Sequence, residues 1–169
     1  MGIRSFQGVS PRLHSSVFVA DGAQLIGDVE IGEDSSVWYN TVLRGDVNAI
    51  RVGRRSNVQD LTMVHVHKGR QPCIVGDDVT IGHHVVLHGC RVGNRVLVGI
   101  GALLLDGVVV EDDSFIAAGA LLTPGTLVPA GSMVMGAPGK VKRVLTPEER
   151  AGLLASAAGY VLNARAHRG

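Results

Sequence analysis

Aliphatic residues recur every six positions along most of this chain, with small and polar residues between them. The series opens at Val19, Leu25, Ile31, Val37 and Leu43, and resumes at Val52, Val58 and Val64 after a short interruption. A second interruption, HKGRQPC, precedes Val75, Ile81 and Leu87. One unit then contracts to five residues, and the rhythm continues through Val92, Val98, Leu104, Val110, Ile116, Leu122, Val128 and Val134. Gly often follows the aliphatic, as at Gly32, Gly53, Gly76 and Gly93, and Asp, Asn, Glu and Ser fill the corners. This is a hexapeptide repeat, and a repeat of this length outranks other readings of the pattern. Each unit predicts a short flat strand and a turn, with one aliphatic pointing inward. Three units close a triangular coil of about 18 residues, and coils stack at about 4.8 Å. Each coil buries its aliphatics against those above and below. Residues 19–136 predict roughly six coils. A β-sandwich with accidental spacing is the alternative, and so long a series disfavours it.

The flanks read differently. Residues 1–18 show no sustained period and predict an irregular arm. Residues 19–139 hold the β-helix, which MGAPG ends. Thr146-Pro147-Glu148-Glu149 then reads as a helix start, with Thr146 as N-cap, Pro147 in the first turn and Glu149 completing a capping box. A helix over 146–168 follows, with Leu154, Ala157, Val161 and Ala164 as its apolar stripe. A lone helix of this length is marginal in water, so it is expected to pack on the prism or on a neighbour.

Composition sharpens this picture in a few places. Aromatic residues are only 4% of the 169-residue chain, while 23 are Gly, so small and β-branched side chains must fill a narrow interior with many tight corners. The formal net charge is +1 with no long run of one sign, which favours neither nucleic acid nor an anionic membrane as partner. No 18-residue apolar run is present, and the N-terminus lacks a secretory h-region. Cys73 and Cys90 have no CxxC spacing and read as reduced thiols of a cytoplasmic protein.

Three histidines carry the candidate chemistry. His65 and His88 are 23 residues apart. Removing a five-residue loop at HKGRQP leaves 18, one complete coil, so the two are expected on one face of adjacent coils. That stacking suits two nitrogens on one tetrahedral metal at ~2.0–2.1 Å each. His83, five residues before His88, lies around a corner on another face. A neighbouring subunit of a threefold assembly could supply it, so the spacing argues for a shared three-histidine site in a homotrimer. His67 and His84 read as surface or supporting residues, and His14 and His167 as incidental. Arg44, Asp46, Asn57, Gln59 and Asp60 are polar residues clustered in RGDVN and SNVQD. They suit either ordinary corners or an interfacial Arg–carboxylate pair that frames an anion, and a Gln near the metal could orient a water.

VWYNTVLRGDVNAIRVG, SNVQDLTMVHVH and IGHHVVLHGCRVG resemble the gamma-class carbonic anhydrase family, and MGAPGKVKR resembles its exit from the β-helix. The resemblance runs from about residue 10 to the C-terminus. It implies an all-β fold, a left-handed parallel β-helix with a C-terminal α-helix, assembled as a homotrimer. It also implies zinc, or another divalent ion such as iron or cobalt, between subunits. By the same resemblance His65, His83 and His88 are the metal ligands, and Arg44 with Asp46 and Asp60 forms the interfacial pair. Gln59 matches a water-orienting glutamine, Asn57 the asparagine near it, and Tyr160 a tyrosine that approaches the site. Two departures mark a shorter branch: Val47 stands where the best-known branch has glutamate, and the loop KGRQP lacks its proton-shuttle carboxylate. His67 is a substitute shuttle candidate. The reaction implied is reversible hydration of carbon dioxide to bicarbonate. Two rivals stand beside it. One is acyl transfer or thioester hydrolysis, with His83 or His84 as base, since acyltransferases share the repeat. The other is a metal-stabilised trimer without turnover.

Overall fold

The computed structural model describes residues 2–168; Met1 of the expected arm and Gly169 lie outside the described residues. The six-residue period becomes a parallel β-solenoid with three faces and a C-terminal helix. One face stacks Met63–His65, Val86–His88, Leu103–Leu104 and Leu121–Leu122 beneath the first halves of Gln24–Ile31 and Val42–Val52. The second face stacks the later halves of those two long strands on Cys73–Val75, Arg91–Val92, Val109–Val110 and Leu127–Val128. The third face carries seven parallel strands, from Phe18–Val19 to Ser132–Met135. Roughly six coils give seven strands here because the series both begins and ends on this face. Gly2–Arg4 and Arg12–Leu13 pair in parallel with Gln24–Ile31, so the stack starts upstream of the repeat itself.

The period-six aliphatics form three inward columns. Leu25, Leu43, Val64, Leu87, Leu104 and Leu122 line the first face from inside, and Val37, Val58, Ile81, Val98, Ile116 and Val134 the third. All are buried. Burying each such side chain contributes roughly 1.5–3 kcal/mol before the entropy of ordering is subtracted. The glycines beside these columns let coils approach: a Cβ on Gly76 would stand 2.7 Å from the Gly93 carbonyl oxygen.

Two of the prism's corners explain how a flat strand turns into the next. At one, Asp34, Arg55, Asp78, Arg95 and Asp113 all adopt left-handed backbone, with φ between 52° and 58°. Their side chains alternate in charge. The Arg55 guanidinium donates to both oxygens of Asp78 at 2.7 Å, and Arg95 donates to Asp113 at 2.6 and 2.9 Å. The corner that follows the first face carries the two interruptions. Residues 45–49 bulge out of the strand there, and residues 66–72 form the loop below, where Asn48 Nδ2 donates to the His67 carbonyl at 3.0 Å.

The ladder ends where Lys140–Val144 folds back antiparallel on Ser132–Met135. The helix Pro147–Arg168 then returns along the third face. Its first turn is closed reciprocally: the Glu149 amide donates to Thr146 Oγ1 at 3.2 Å, and the Thr146 amide donates to the Glu149 carboxylate at 2.9 Å. The helix buries Leu153, Ala157 and Ala164, while Leu154 is 45% exposed, so the apolar stripe begins one residue earlier than the sequence suggests. Trp38 sits beneath it, 5.3 Å from the Phe18 ring, 5.4 Å from Tyr160 and 5.0 Å from His167. Among the described residues no helix is long and apolar enough to cross a membrane.

Candidate metal centre

Arg44, His65 and His88 occupy one register column on three consecutive coils of the first face. Each follows an inward aliphatic, so each side chain points outward. Residues 66–72 leave the ladder and return without shifting it, which is why the register holds across the interruption. His65 Nδ1 lies 3.1 Å from His88 Nε2. Two nitrogens bound to one tetrahedral ion at ~2.0–2.1 Å stand ~3.3–3.4 Å apart, so the observed pair is near that spacing.

The protonation of the pair follows from its other contacts. His65 Nε2 is 3.0 Å from Asp46 Oδ1, and His88 Nδ1 is 2.9 Å from Asp106 Oδ1. A carboxylate only accepts, so both of those nitrogens carry the N–H. In the neutral rings, His65 Nδ1 and His88 Nε2 then both hold lone pairs and face one another. Two lone pairs at this distance repel unless a cation lies between them, and neutral imidazole nitrogens are good divalent-metal donors. The donor set therefore fits a metal. Burial works against ionising Asp46, but the hydrogen bond from His65 and its pairing with the Arg44 guanidinium outweigh it and hold the carboxyl below its ordinary range.

A second group lies at the corner between the third and first faces. His83 Nδ1 donates to Asp60 Oδ2 at 2.7 Å, which leaves Nε2 as its free lone pair. Gln59, buried beside Asp60, donates from Nε2 to Asn57 Oδ1 at 3.0 Å. Asn57 in turn donates to Thr80 Oγ1 at 3.1 Å, and Thr80 meets Ser156 of the helix at 3.2 Å. Tyr160 completes this side. Burial and the charge of Asp60 push its phenol up from its ordinary range, so it stays protonated at neutral pH.

The sequence-predicted residues thus divide into two sets on one chain. Arg44, Asp46, His65 and His88 converge. Asn57 with Gln59 and Asp60 with His83 make hydrogen-bonded pairs at the other corner, while Tyr160 packs on Trp38 and feels Asp60 only through its charge. His83 does not join His65 and His88 within the chain, nor does Arg44 meet Asp60. Among the described residues, no group of three or more His, Cys, Asp or Glu side chains is placed to hold an ion. His84 is exposed in left-handed backbone at φ 58°, and His67 rests at the loop with Nδ1 3.2 Å from the Lys68 carbonyl. His167 is no bystander: it packs on Trp38 and its Nδ1 bonds the Tyr39 hydroxyl at 3.1 Å. Asp106 was not among the residues expected at the site. Its position 18 residues after His88, one coil further on, is the signal that could have found it.

The outward residues beside the histidine column are aliphatic: Val42, Met63, Val86, Leu103 and Leu121 stand in register down the first face. Met63 and Leu103 are more than a third exposed.

The chain is 48% identical over 163 residues to gamma carbonic anhydrase 2, mitochondrial, of Arabidopsis thaliana, covering 94% of this chain and 59% of that protein. It therefore spans less than two thirds of that plant relative's length. It is 40% identical over 147 residues to a carbonic anhydrase of Geobacillus kaustophilus, covering 87% of this chain and 80% of that one. Among solved structures, a hexapeptide transferase family protein from Anaplasma phagocytophilum superposes with a TM-score of 0.94 at 44% identity, covering 98% and 97% of the two chains. No protein-family model matches the chain.

Proposed function

Because the chain belongs to the gamma carbonic anhydrase family, we propose that it hydrates carbon dioxide reversibly at a metal site completed between subunits of a homotrimer. The observation that carries this reading is the facing pair of lone-pair nitrogens on His65 and His88, each locked by a carboxylate on its far side. His83, braced the same way by Asp60 but on another face, is the third ligand, supplied by a neighbouring copy. The aliphatic column of the first face is the surface that brings that copy into place.

Zinc, or iron or cobalt in its stead, would be held by His65 and His88 of one chain and His83 of the next. A divalent ion held there would supply Lewis acidity and lower the pKa of a water, the chemistry it supplies in carbonic anhydrases generally. The chain's own residues do the rest. Gln59 commits its amide N–H to Asn57, so its carbonyl oxygen is left to accept a hydrogen bond and orient the attacking oxygen towards carbon dioxide. Tyr160, protonated, offers a donor beside Asp60. Arg44 brings positive charge to the edge of the site and favours bicarbonate, and with Asp46 and Asp60 it closes the interface. The proton released leaves to bulk buffer or through His67, since the 68–72 loop contains no carboxylate. A cytoplasmic location accords with Cys73 and Cys90, which stand as thiols 3.9 Å apart with no disulfide between them.

The test is metal analysis of the purified protein joined to stopped-flow hydration assays. One ion per chain and a hydration rate that disappears with His65→Ala support the reading; a metal-loaded protein with no hydration activity at any buffer concentration sinks it. The likeness to a hexapeptide transferase family protein favours acyl transfer as the second reading. Protection of the protein by coenzyme A in the absence of metal would select it. Metal binding without either activity would leave a metal-stabilised structural trimer.

A further inference from the structure

The mechanism uses His65, His83 and His88, but the carboxylate that holds His88 lies outside the sequence segments that carry the histidines. Asp106 lies one coil beyond His88, at the corner after Leu103–Leu104. Its Oδ1 receives His88 Nδ1 at 2.9 Å. The backbone at this corner is built around that contact. Gly89 is in left-handed conformation at φ 53°, and a Cβ there would stand 2.5 Å from Asp106 Oδ1. The coils are tied at the same place by the Gly107 amide, which donates to the Gly89 carbonyl at 2.8 Å. The carboxylate can therefore reach over residue 89 to His88 only because that residue has no side chain.

We infer that Asp106 is a positioning residue for the metal site: it fixes His88 with its proton on Nδ1 and its Nε2 lone pair aimed at the position shared with His65. Gly89 is the space that lets it do so. Imidazole without such an acceptor exchanges between two tautomers and rotates about its ring axis, and only one of those states presents a lone pair to the shared position. Partners of this kind raise ligand basicity and orient the ring, and their loss typically costs 10–100-fold in metal affinity. Asp46 serves His65 and Asp60 serves His83 in the same manner, so Asp106 completes a set of one carboxylate per histidine. Its side chain is 37% exposed and reaches outward to His88, so its replacement leaves the core columns untouched.

This inference rests on the metal-site reading, and the experiment separates the two. Co2+ and Zn2+ affinities are measured by chelator competition on the full-length wild type, Asp106→Asn and Asp106→Ala. The visible absorption of the Co2+ forms and the melting temperatures of the metal-free proteins are recorded alongside. The expected result is a 10–100-fold weaker affinity for Asp106→Ala with an altered Co2+ spectrum, partial recovery in Asp106→Asn through its amide oxygen, and unchanged metal-free melting temperatures. Wild type that binds neither ion overturns the metal-site reading and this one with it. Wild type that binds both ions while Asp106→Ala binds equally tightly overturns this inference alone. A loss shared equally by Asp106→Asn and Asp106→Ala, with melting temperatures lowered in both, marks a role in the fold and overturns it too.

Discussion

His88 stands one coil from His65 in strict register, and in the neutral rings the nitrogens that face each other across the 3.1 Å gap both carry lone pairs, because each ring gives its N–H to a carboxylate on its far side. Three features set this relation. The 66–72 loop restores the register it interrupts, the two inward aliphatics Val64 and Leu87 stack, and a carboxylate takes the far proton of each ring. A gap between acceptors is a demand for positive charge.

If His83 of a neighbour completes that demand, complementation follows. Neither His83→Ala nor His65→Ala alone is expected to retain an intact site. Mixed trimers of the two should recover sites where the first face of the His83→Ala chain meets the His83 of the His65→Ala chain. Metal content and hydration rate of refolded mixtures check this, and mixed trimers without recovered metal would refute a shared site.

The aliphatic column on the first face predicts how assembly can be broken. Leu103 is 38% exposed in the single chain and stands between Val86 and Leu121. Leu103→Asp is expected to shift the protein to monomers in sedimentation while its far-ultraviolet dichroism is retained, because the inward columns that build the prism are unchanged.

Proton export should limit turnover. The loop after His65 offers Lys68, Arg70 and Gln71 but no carboxylate. Hydration is expected to be slow in dilute buffer and to rise with imidazole concentration at constant pH and ionic strength. A fast, buffer-independent rate would point to an internal relay, and His67→Ala would then be the variant to examine.

The helix cap is expected to titrate. The Arg143 guanidinium and the Thr146 amide hold the Glu149 carboxyl down, from its ordinary value of 4.5 to about 2. A lowered folded value means that the stabilisation is present above the ordinary range and is lost as pH falls through about 2. Trp38, the only tryptophan, lies under the helix and reports its docking. Its emission is expected to move to the red as pH falls across that window. Glu149→Gln should show a smaller acid-induced change than wild type.

Close approach between coils makes a third kind of substitution costly. A methyl group on Gly76 would meet the Gly93 carbonyl at 2.7 Å and the Asn94 side chain at 2.6 Å. Gly76→Ala is expected to destabilise the protein by about 1–3 kcal/mol through overpacking, read as a lower denaturant midpoint. Gly125→Ala, where a Cβ meets nothing within 4 Å but φ is 73°, separates crowding from backbone strain.

The solenoid and the stacked histidines were legible because each rests on a count along the chain. Inward aliphatics must recur once per strand, and a loop leaves the count intact once its length is subtracted. What escaped the sequence depends on direction rather than count. Asp106 resembles any polar corner residue until the coil below puts His88 under it. Leu153 and Leu154 both fit a helical stripe, and only the placement of Leu97, Phe115, Met133 and Leu145 beside Leu153 decides that the first is buried. The arm before Val19 has no period, yet its backbone amides and carbonyls still find the open edge of Gln24–Ile31.

A stack of near-identical coils has a counting problem, because any coil's aliphatics could rest on those of any other. The corner at Asp34, Arg55, Asp78, Arg95 and Asp113 removes that ambiguity. If the coil bearing Asp78 were skipped, Arg55 would come to rest on Arg95; if the coil bearing Arg55 were skipped, Asp34 would rest on Asp78. Hydrophobic burial would scarcely register either error, whereas like charges at contact distance would. The corner therefore keeps the tally of coils that the uniform interior cannot.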